Sequence, residues 1–488
     1  MNLTIGQIVD ACKGTLVYRG LPEQEEAFRE TLVTGVVLDS RQVTEGGVFV
    51  ATVGQRVDGH DFISQVFHKG ALLVVCEKAP ESVQDEGAAS AMTLALGSYV
   101  LVEDSFRALK SIAEAYRKTL DIPIVGITGS VGKTSTKEFI AGVLAEKYQV
   151  LKTEGNYNNE VGVPLTLLRI RPEHQVAVVE MGISDFGEMH RLSRMVRPDI
   201  AVITNIGQCH LENLKTRDGI LQAKTEIFDF MSVDGYICLN GEDDKLQGVQ
   251  SPGNQQLRFF GLGENPTEAV YATDIVSKGL WGSRAVLHFQ RGDSYEVEIP
   301  LPGMHMVTNA AAAACVAEIL GLTGEEIRQG ISGVSAIGGR NRLIAGKCRT
   351  LIDDCYNANP VSMKAGIDLL QMADTHTVAL LGDMFELGEH SDSLHAEVGA
   401  YAVAQGVNTL ICVGENSRHM YEAALKAREA DHASREAINE QQVIYYATRE
   451  ALLDQLQSAP EQILPTDSTV LIKASHGMHF EEIVELLR

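Results

Sequence analysis

The sequence predicts an α/β protein of three domains: a central P-loop-type parallel sheet, an α/β N-terminal domain and a Rossmann-like C-terminal domain. Three observations predict it. The chain has 488 residues, and about 100–200 residues make a domain. Short apolar runs recur along it, each ending in polar or glycine residues, with helical stretches between several of them. That is the pattern of strands buried on both faces of a parallel sheet. One run opens directly into the glycine-rich segment Gly126-Ile-Thr-Gly-Ser-Val-Gly-Lys-Thr-Ser135.

Composition bounds the function. Apolar residues make up 45% of the chain, enough for several cores. With 41 basic and 65 acidic residues the formal charge is −24. Such a surface repels nucleic-acid backbones and anionic membranes, so an anionic ligand needs local devices: helix N-termini, a few Lys or Arg, and metal ions. The eight cysteines include no C-x-x-C pair and most sit in apolar runs, which reads as reduced thiols of a cytosolic protein. The start Met-Asn-Leu-Thr-Ile-Gly-Gln lacks a signal peptide's basic and apolar regions. No run approaches the ~18 apolar residues of a membrane span. A cytoplasmic protein, monomeric and without membrane insertion, is the expectation.

In chain order, Val33–Leu38, Gly47–Val53 and Ala71–Cys76 read as strands. Asp104–Leu120 reads as a helix, capped by Asp104 or Ser105, with Phe106, Leu109, Ile112, Ala113 and Tyr116 on one face. The next strands are Ile122–Ile127, Val176–Val179, Ile200–Ile203 and Tyr236–Leu239. They end at Thr128-Gly129, Glu180, Thr204-Asn205 and Asn240-Gly241. Ligands gather beyond the carboxyl ends of such strands, so these residues mark the candidate site. Phe259–Pro300 is β-rich, Asn309–Leu320 is an alanine-rich helix, and Gly338-Gly339-Arg340 reads as a hinge. A last α/β unit has strands at Thr350–Ile352, Thr377–Leu381, Thr409–Val413 and Thr469–Ile472. The domains are expected at 1–103, 104–335 and 336–488.

The loop carries the chemistry. Small residues let backbone N–H groups approach phosphate oxygens, and the helix starting near Thr134 adds a favourable partial charge. Lys133 would reach the outer phosphates and the Thr134 hydroxyl would ligate Mg²⁺. The strict G-x-x-x-x-G-K-[ST] pattern fails, because its first glycine falls at Ile127. Glu180 at a strand end suits Mg²⁺, though a surface or capping role is equally open. His210 follows the next strand; a lone histidine is more often structural. Lys224, in Ile-Leu-Gln-Ala-Lys-Thr-Glu, reads by pattern alone as a solvated lysine.

Taken together, these motifs resemble the Mur ligases of peptidoglycan synthesis. Gly126–Ser135, Glu180-Met-Gly, Asn205-Ile-Gly…His210, Ala223-Lys224…Phe228, Gly303…His305…Asn309-Ala and Asp354-Cys-Tyr-Asn357 stand in the family's order over nearly the whole chain. Three further segments resemble the member that joins D-alanyl-D-alanine to UDP-N-acetylmuramoyl-tripeptide. They are Asp39-Ser-Arg41…Gly59-His-Asp-Phe62, Asn156–Pro164, and Asp353–Pro360 followed by Gly382–His390. The resemblance implies ATP-driven amide formation through an acyl phosphate. It implies that Gly129, Ser130, Val131, Gly132, Lys133, Thr134 and Ser135 hold the triphosphate, and that Thr134, Glu180 and His210 hold Mg²⁺. It further implies a carbamylated Lys224, Asn309 and Asn357 near the adenine, Asp354 on the ribose, and Arg340 on phosphate or ribose. Ser40 and Arg41 would hold the UDP moiety, and the C-terminal domain would close over ATP about the hinge and bind the dipeptide. The chain departs from the family at Met306, where an Asn is usual, and at His476, where an Arg is usual. Another ligase of the superfamily, such as a folylpolyglutamate synthase, and a P-loop switch ATPase stay open as alternatives.

Overall fold

The structure, a computed structural model, describes all residues except 55–56, 81–96, 264–268, 336–341, 347, 386 and 433–440. The Gly338-Gly339-Arg340 hinge, and Arg340 with it, lies outside the described residues. The fold is α/β, built on three sheets.

The first sheet has the spatial order Thr15–Val17, Tyr99–Leu101, Leu73–Cys76, Val48–Val50, Val36–Val37. Its first pair is antiparallel and the others are parallel. Only Val36–Val37 of the expected Val33–Leu38 strand joins it, because Val33 donates its N–H to the Leu3 carbonyl and Thr34 to Gly46.

The helix Ser105–Arg117 follows, with the Asp104 carboxylate accepting from the Arg107 N–H at 2.9 Å. Ala108, Leu109, Ile112, Ala113 and Tyr116 are buried along it, at the i, i+3, i+4 spacing that puts them on one face. Its C-terminus is riveted to the next layer. The Tyr116 hydroxyl donates to the Ile170 carbonyl at 2.6 Å. The Arg117 guanidinium donates to the carbonyls of Val196, Leu120 and Arg197 and pairs with Asp199. One apolar cluster runs from Leu3 through this helix to Val249, so the first sheet and the second share a core.

The second sheet has nine strands. From one edge they are Val150–Lys152, Val176–Glu180, Ile124–Thr128, Ile200–Ile203, Tyr236–Asn240, Gln256–Leu262, Val270–Ser277, Ser283–Phe289 and Ser294–Ile299. The first seven pair in parallel. Register fixes the neighbours of the strand Ile124–Thr128: Ile127 lies beside Glu180, and Thr128 beside Ile203. The strands expected at the phosphate loop therefore sit side by side, and their polar ends share one rim. The helix Met304–Ile319 begins earlier than the alanine run, and its Ala310–Ala317 segment is buried.

By contact density the chain forms two compact units. One comprises residues 1–273, 287–295 and 308–331; the other comprises 274–286, 296–307 and 332–488. The second unit contains the third sheet, in the order Arg342–Ala345, Arg349–Asp353, Ser468–Lys473, His376–Gly382, Thr409–Val413, Gln442–Tyr446. Its edge strand Arg342–Ala345 is antiparallel and the rest are parallel. Apolar clusters cover both faces of this sheet, as a parallel sheet requires. Among the described residues no helix is long and apolar enough to cross a membrane.

Candidate active site

The strand Ile124–Thr128 is fully buried and delivers the chain into the loop 129–132, after which the helix Lys133–Leu144 begins. Gly132 stands at the helix N-cap with φ 83°, and no side chain caps the end. The first-turn amides of a helix have no intrahelical partner, so this uncapped terminus is suited to an anion. Gly129 is required sterically: a Cβ there would lie 1.9 Å from Thr204 Oγ1.

The loop is held from the neighbouring strand's end. Asn205 accepts from the Ser130 N–H through its carbonyl at 3.1 Å and from the Val131 N–H through Oδ1 at 2.9 Å. Ser130 Oγ donates to the Gly207 carbonyl and accepts the Gly207 N–H. The Thr204 hydroxyl donates to Val131 O at 2.6 Å. Lys133 folds back over the loop, its Nζ donating to Gly129 O at 2.8 Å and Ser130 O at 3.3 Å.

Behind the loop lies a buried polar cluster. The Thr134 hydroxyl is 2.9 Å and 3.1 Å from the two Glu180 oxygens. Glu180 is 1% exposed. Its Oε1 also accepts from Asn158 Nδ2 at 2.8 Å, and its N–H donates to Thr153 Oγ1. A hydroxyl beside a carboxylate is the hard oxygen set that Mg²⁺ takes, and the ion keeps several waters and phosphate oxygens besides. Thr134 and Glu180 therefore fit such an ion. His210 stands exposed at the N-cap of the short helix Leu211–Leu214, in the left-handed region at φ 49°. Among the described residues no three His, Cys, Asp or Glu side chains are grouped closely enough to hold a metal by themselves.

Lys224 overturns the solvated-lysine expectation. It sits in the last turn of the helix Arg217–Thr225 and is 1% exposed. Its Nζ donates to Gly129 O at 3.1 Å, the same carbonyl that Lys133 bonds. Burial lowers its pKa from the usual lysine range to about 7, and the Lys133 charge lowers it further in the same direction. A neutral amine is thus available beside the phosphate loop near neutral pH.

Asn309 is buried, and its Oδ1 accepts from the Thr136 hydroxyl at 2.9 Å, tying the alanine-rich helix to the phosphate-loop helix. Ser135 follows Thr134 in the first turn of the latter. In the first sheet's domain Ser40 is buried, its carbonyl accepting from Lys69 Nζ at 2.8 Å. Arg41 is exposed and clasps Asp39, whose carboxyl that bond holds below its usual range. In the second unit Asp354 is buried and pairs with Lys473 Nζ at 2.5 Å, which also donates to Asn357 O. Asn357 itself is exposed, with Oδ1 accepting the Ala358 N–H. His476 is exposed, its ring 5.8 Å from that of Tyr356.

Sequence reasoning singled out neither Lys137 nor Thr153. Lys137 lies one helical turn past Lys133, on the same face of the helix, and that spacing was the available signal.

A buried hydroxyl–carboxylate pair behind an uncapped phosphate loop, with Thr134 opening the loop's helix and Glu180 ending the adjacent parallel strand, defines a nucleotide-dependent catalytic domain. Three family models match the chain: "Mur ligase family, catalytic domain" over 32–117, "Mur ligase middle domain" over 127–317, and "Mur ligase, glutamate ligase domain" over 339–476. The chain belongs to the Mur ligase family. Within it, the chain is 34% identical to the UDP-N-acetylmuramoyl-tripeptide–D-alanyl-D-alanine ligase of Bacillus subtilis strain 168, over 99% of this chain and 97% of that protein. A crystal structure of MurF from Acinetobacter baumannii superposes with TM-score 0.83 at 29% identity, covering 99% of this chain and 98% of that one. MurF from Thermotoga maritima in complex with ADP gives TM-score 0.75 at 27% identity, covering 93% and 96%.

Proposed function

We propose that the protein is an ATP-dependent ligase that joins D-alanyl-D-alanine to UDP-N-acetylmuramoyl-tripeptide, a step in cytoplasmic peptidoglycan precursor synthesis. The relatives of that name, matched end to end, support the reading. The observation that carries the chemistry is the buried Lys224 on the Gly129 carbonyl, beside the phosphate loop.

A carboxylate is a poor acyl donor because oxide is a poor leaving group. Transfer of the γ-phosphoryl group to the tripeptide's terminal carboxylate forms an acyl phosphate and ADP. The dipeptide amine then attacks the acyl carbon, and the tetrahedral adduct collapses to the amide with loss of phosphate. The enzyme's contribution is positioning and charge neutralisation. Residues 129–135 cradle the phosphates, and Lys133 swings from its loop carbonyls to the outer phosphate oxygens. Thr134 and Glu180, with His210, would hold Mg²⁺, whose chemistry there would be neutralisation of charge on the phosphoryl oxygens. The neutral Lys224 amine adds to CO₂ with loss of a proton, giving a carbamate. That anion attracts Lys133, whereas a protonated Lys224 would repel it. Ser40 and Arg41 serve the UDP moiety. Asn309, Asn357, Asp354 and Arg340 serve the nucleoside and phosphates of ATP, and residues 336–488 the dipeptide. The enzyme acts as a monomer.

The test is ADP release with candidate amines. Release that requires both the UDP-tripeptide and D-alanyl-D-alanine is expected. Turnover with diaminopimelate or glutamate, and none with the dipeptide, would assign a different ligase. Hydrolysis without either co-substrate would favour a switch ATPase.

A further inference from the structure

We propose that Lys137 is a positioning residue that fixes the Glu180 carboxylate for the metal–nucleotide complex. The proposal rests on the reading of Glu180 as a metal ligand. Lys137 is 1% exposed, on the inner face of the phosphate-loop helix. Its Nζ donates to the Thr153 carbonyl at 2.8 Å, lies 3.1 Å from Glu138 Oε1, and lies 3.8 Å from Glu180 Oε2. Thr153 is the residue whose hydroxyl receives the Glu180 N–H. One ammonium therefore holds both the carboxylate and the backbone segment that seats it.

A buried carboxylate needs a compensating charge. Lys133 bonds the loop carbonyls, and Thr134 and Asn158 are neutral. Glu138 is shared with a second cation, Lys152. The group Lys137, Lys152, Glu138, Glu180 is thus two cations against two anions, leaving Lys137 to offset Glu180. Position matters as much as charge. A hydroxyl that lends a lone pair to a metal keeps its proton, but the single Thr134 hydrogen can hold only one Glu180 oxygen at a time. Asn158 on Oε1 and Lys137 beside Oε2 hold the two oxygens from opposite sides and keep the carboxylate plane from rotating. Groups that orient a metal's ligands in this way set affinity, and losing one costs about 10–100-fold.

Mn²⁺ serves as the probe, its free signal followed by electron paramagnetic resonance with and without ADP, in wild type and in Lys137→Met and Lys137→Gln. ADP binding without metal, the affinity for the UDP-tripeptide and the melting temperature are measured alongside. Mn²⁺ affinity in the presence of ADP should fall about 10–100-fold in both variants, with metal-free ADP and UDP-tripeptide binding held near wild type. Glutamine keeps a hydrogen-bond donor, on a side chain one bond shorter, without the charge, and decides the matter if the methionine variant does not fold. Native Mn²⁺ affinity in a folded variant would overturn the role of Lys137 alone. Equal loss of metal-free ADP binding would overturn it too, by showing general damage to the loop. A wild-type protein whose ADP affinity gains nothing from Mn²⁺ would overturn the metal reading and this proposal together.

Discussion

At the scale of single residues, Lys224 is the most informative side chain. Nothing in Gln-Ala-Lys-Thr-Glu distinguishes it from a surface lysine; burial against Gly129 does. Its folded pKa, about 7, lies below the ordinary 10.5. Between those values the unfolded chain binds more protons than the native protein, so stability contributed through this group rises with pH across the window and is flat below it. The melting temperature of carbamate-free protein should therefore rise more from pH 7 to 9 in wild type than in Lys224→Met. Lys224→Ala should lose ligation by at least about 100-fold, with partial rescue by short carboxylic acids that replace the carbamate. Undiminished turnover would make the lysine a packing residue only. Lys133→Ala should cost on the order of 100–1000-fold in turnover while the melting curve stays near wild type.

At the scale of elements, the strand–loop–helix unit is set by local chemistry and by one close approach. Gly129→Ala puts a methyl group on Thr204 Oγ1, and neither strand can give way, because Ile203 and Thr128 are paired neighbours. The loop must move, and ADP affinity should drop more than tenfold in calorimetric titration. In the second unit the Asp354–Lys473 pair joins the ends of two adjacent strands, Arg349–Asp353 and Ser468–Lys473. Asp354→Ala strands a buried ammonium, which costs about 3 kcal/mol by analogy with other broken buried pairs. Denaturant unfolding should register that loss. The double variant Asp354→Ala/Lys473→Met should recover part of it.

Element positions were largely legible because apolar runs in parallel sheets are unbroken. Ile200–Ile203 and Thr409–Val413 appear as read, and Asp104 caps its helix as expected. Among the strands that escaped reading, Thr15–Val17, Val150–Lys152, Arg342–Ala345 and Gln442–Tyr446 are edges, while Tyr99–Leu101 is an interior strand of only three residues, too short to show a pattern. An edge strand has one sheet neighbour and mixed burial, so its sequence carries no continuous apolar run to detect.

At the scale of the whole molecule, charge dominates. A formal charge of −24 makes self-repulsion a standing cost. Raising salt from about 20 to about 200 mM shortens the screening length and should raise the melting temperature by a few degrees. A fall would mean that local ion pairs outweigh the net repulsion.

The sequence by itself determined the α/β class, the phosphate loop, the family and most of the candidate residues. Those signals are local: period, chain order and glycines at fixed offsets. Only the tertiary structure decided that Lys224 is buried, that Thr134 meets Glu180, and that Lys137 stands behind both. The physical reason is that a charge's environment comes from distant segments. Gly129 and Lys224 are 95 residues apart, and Thr134 and Glu180 46. No local pattern records how parallel strands bring such pairs within hydrogen-bonding distance.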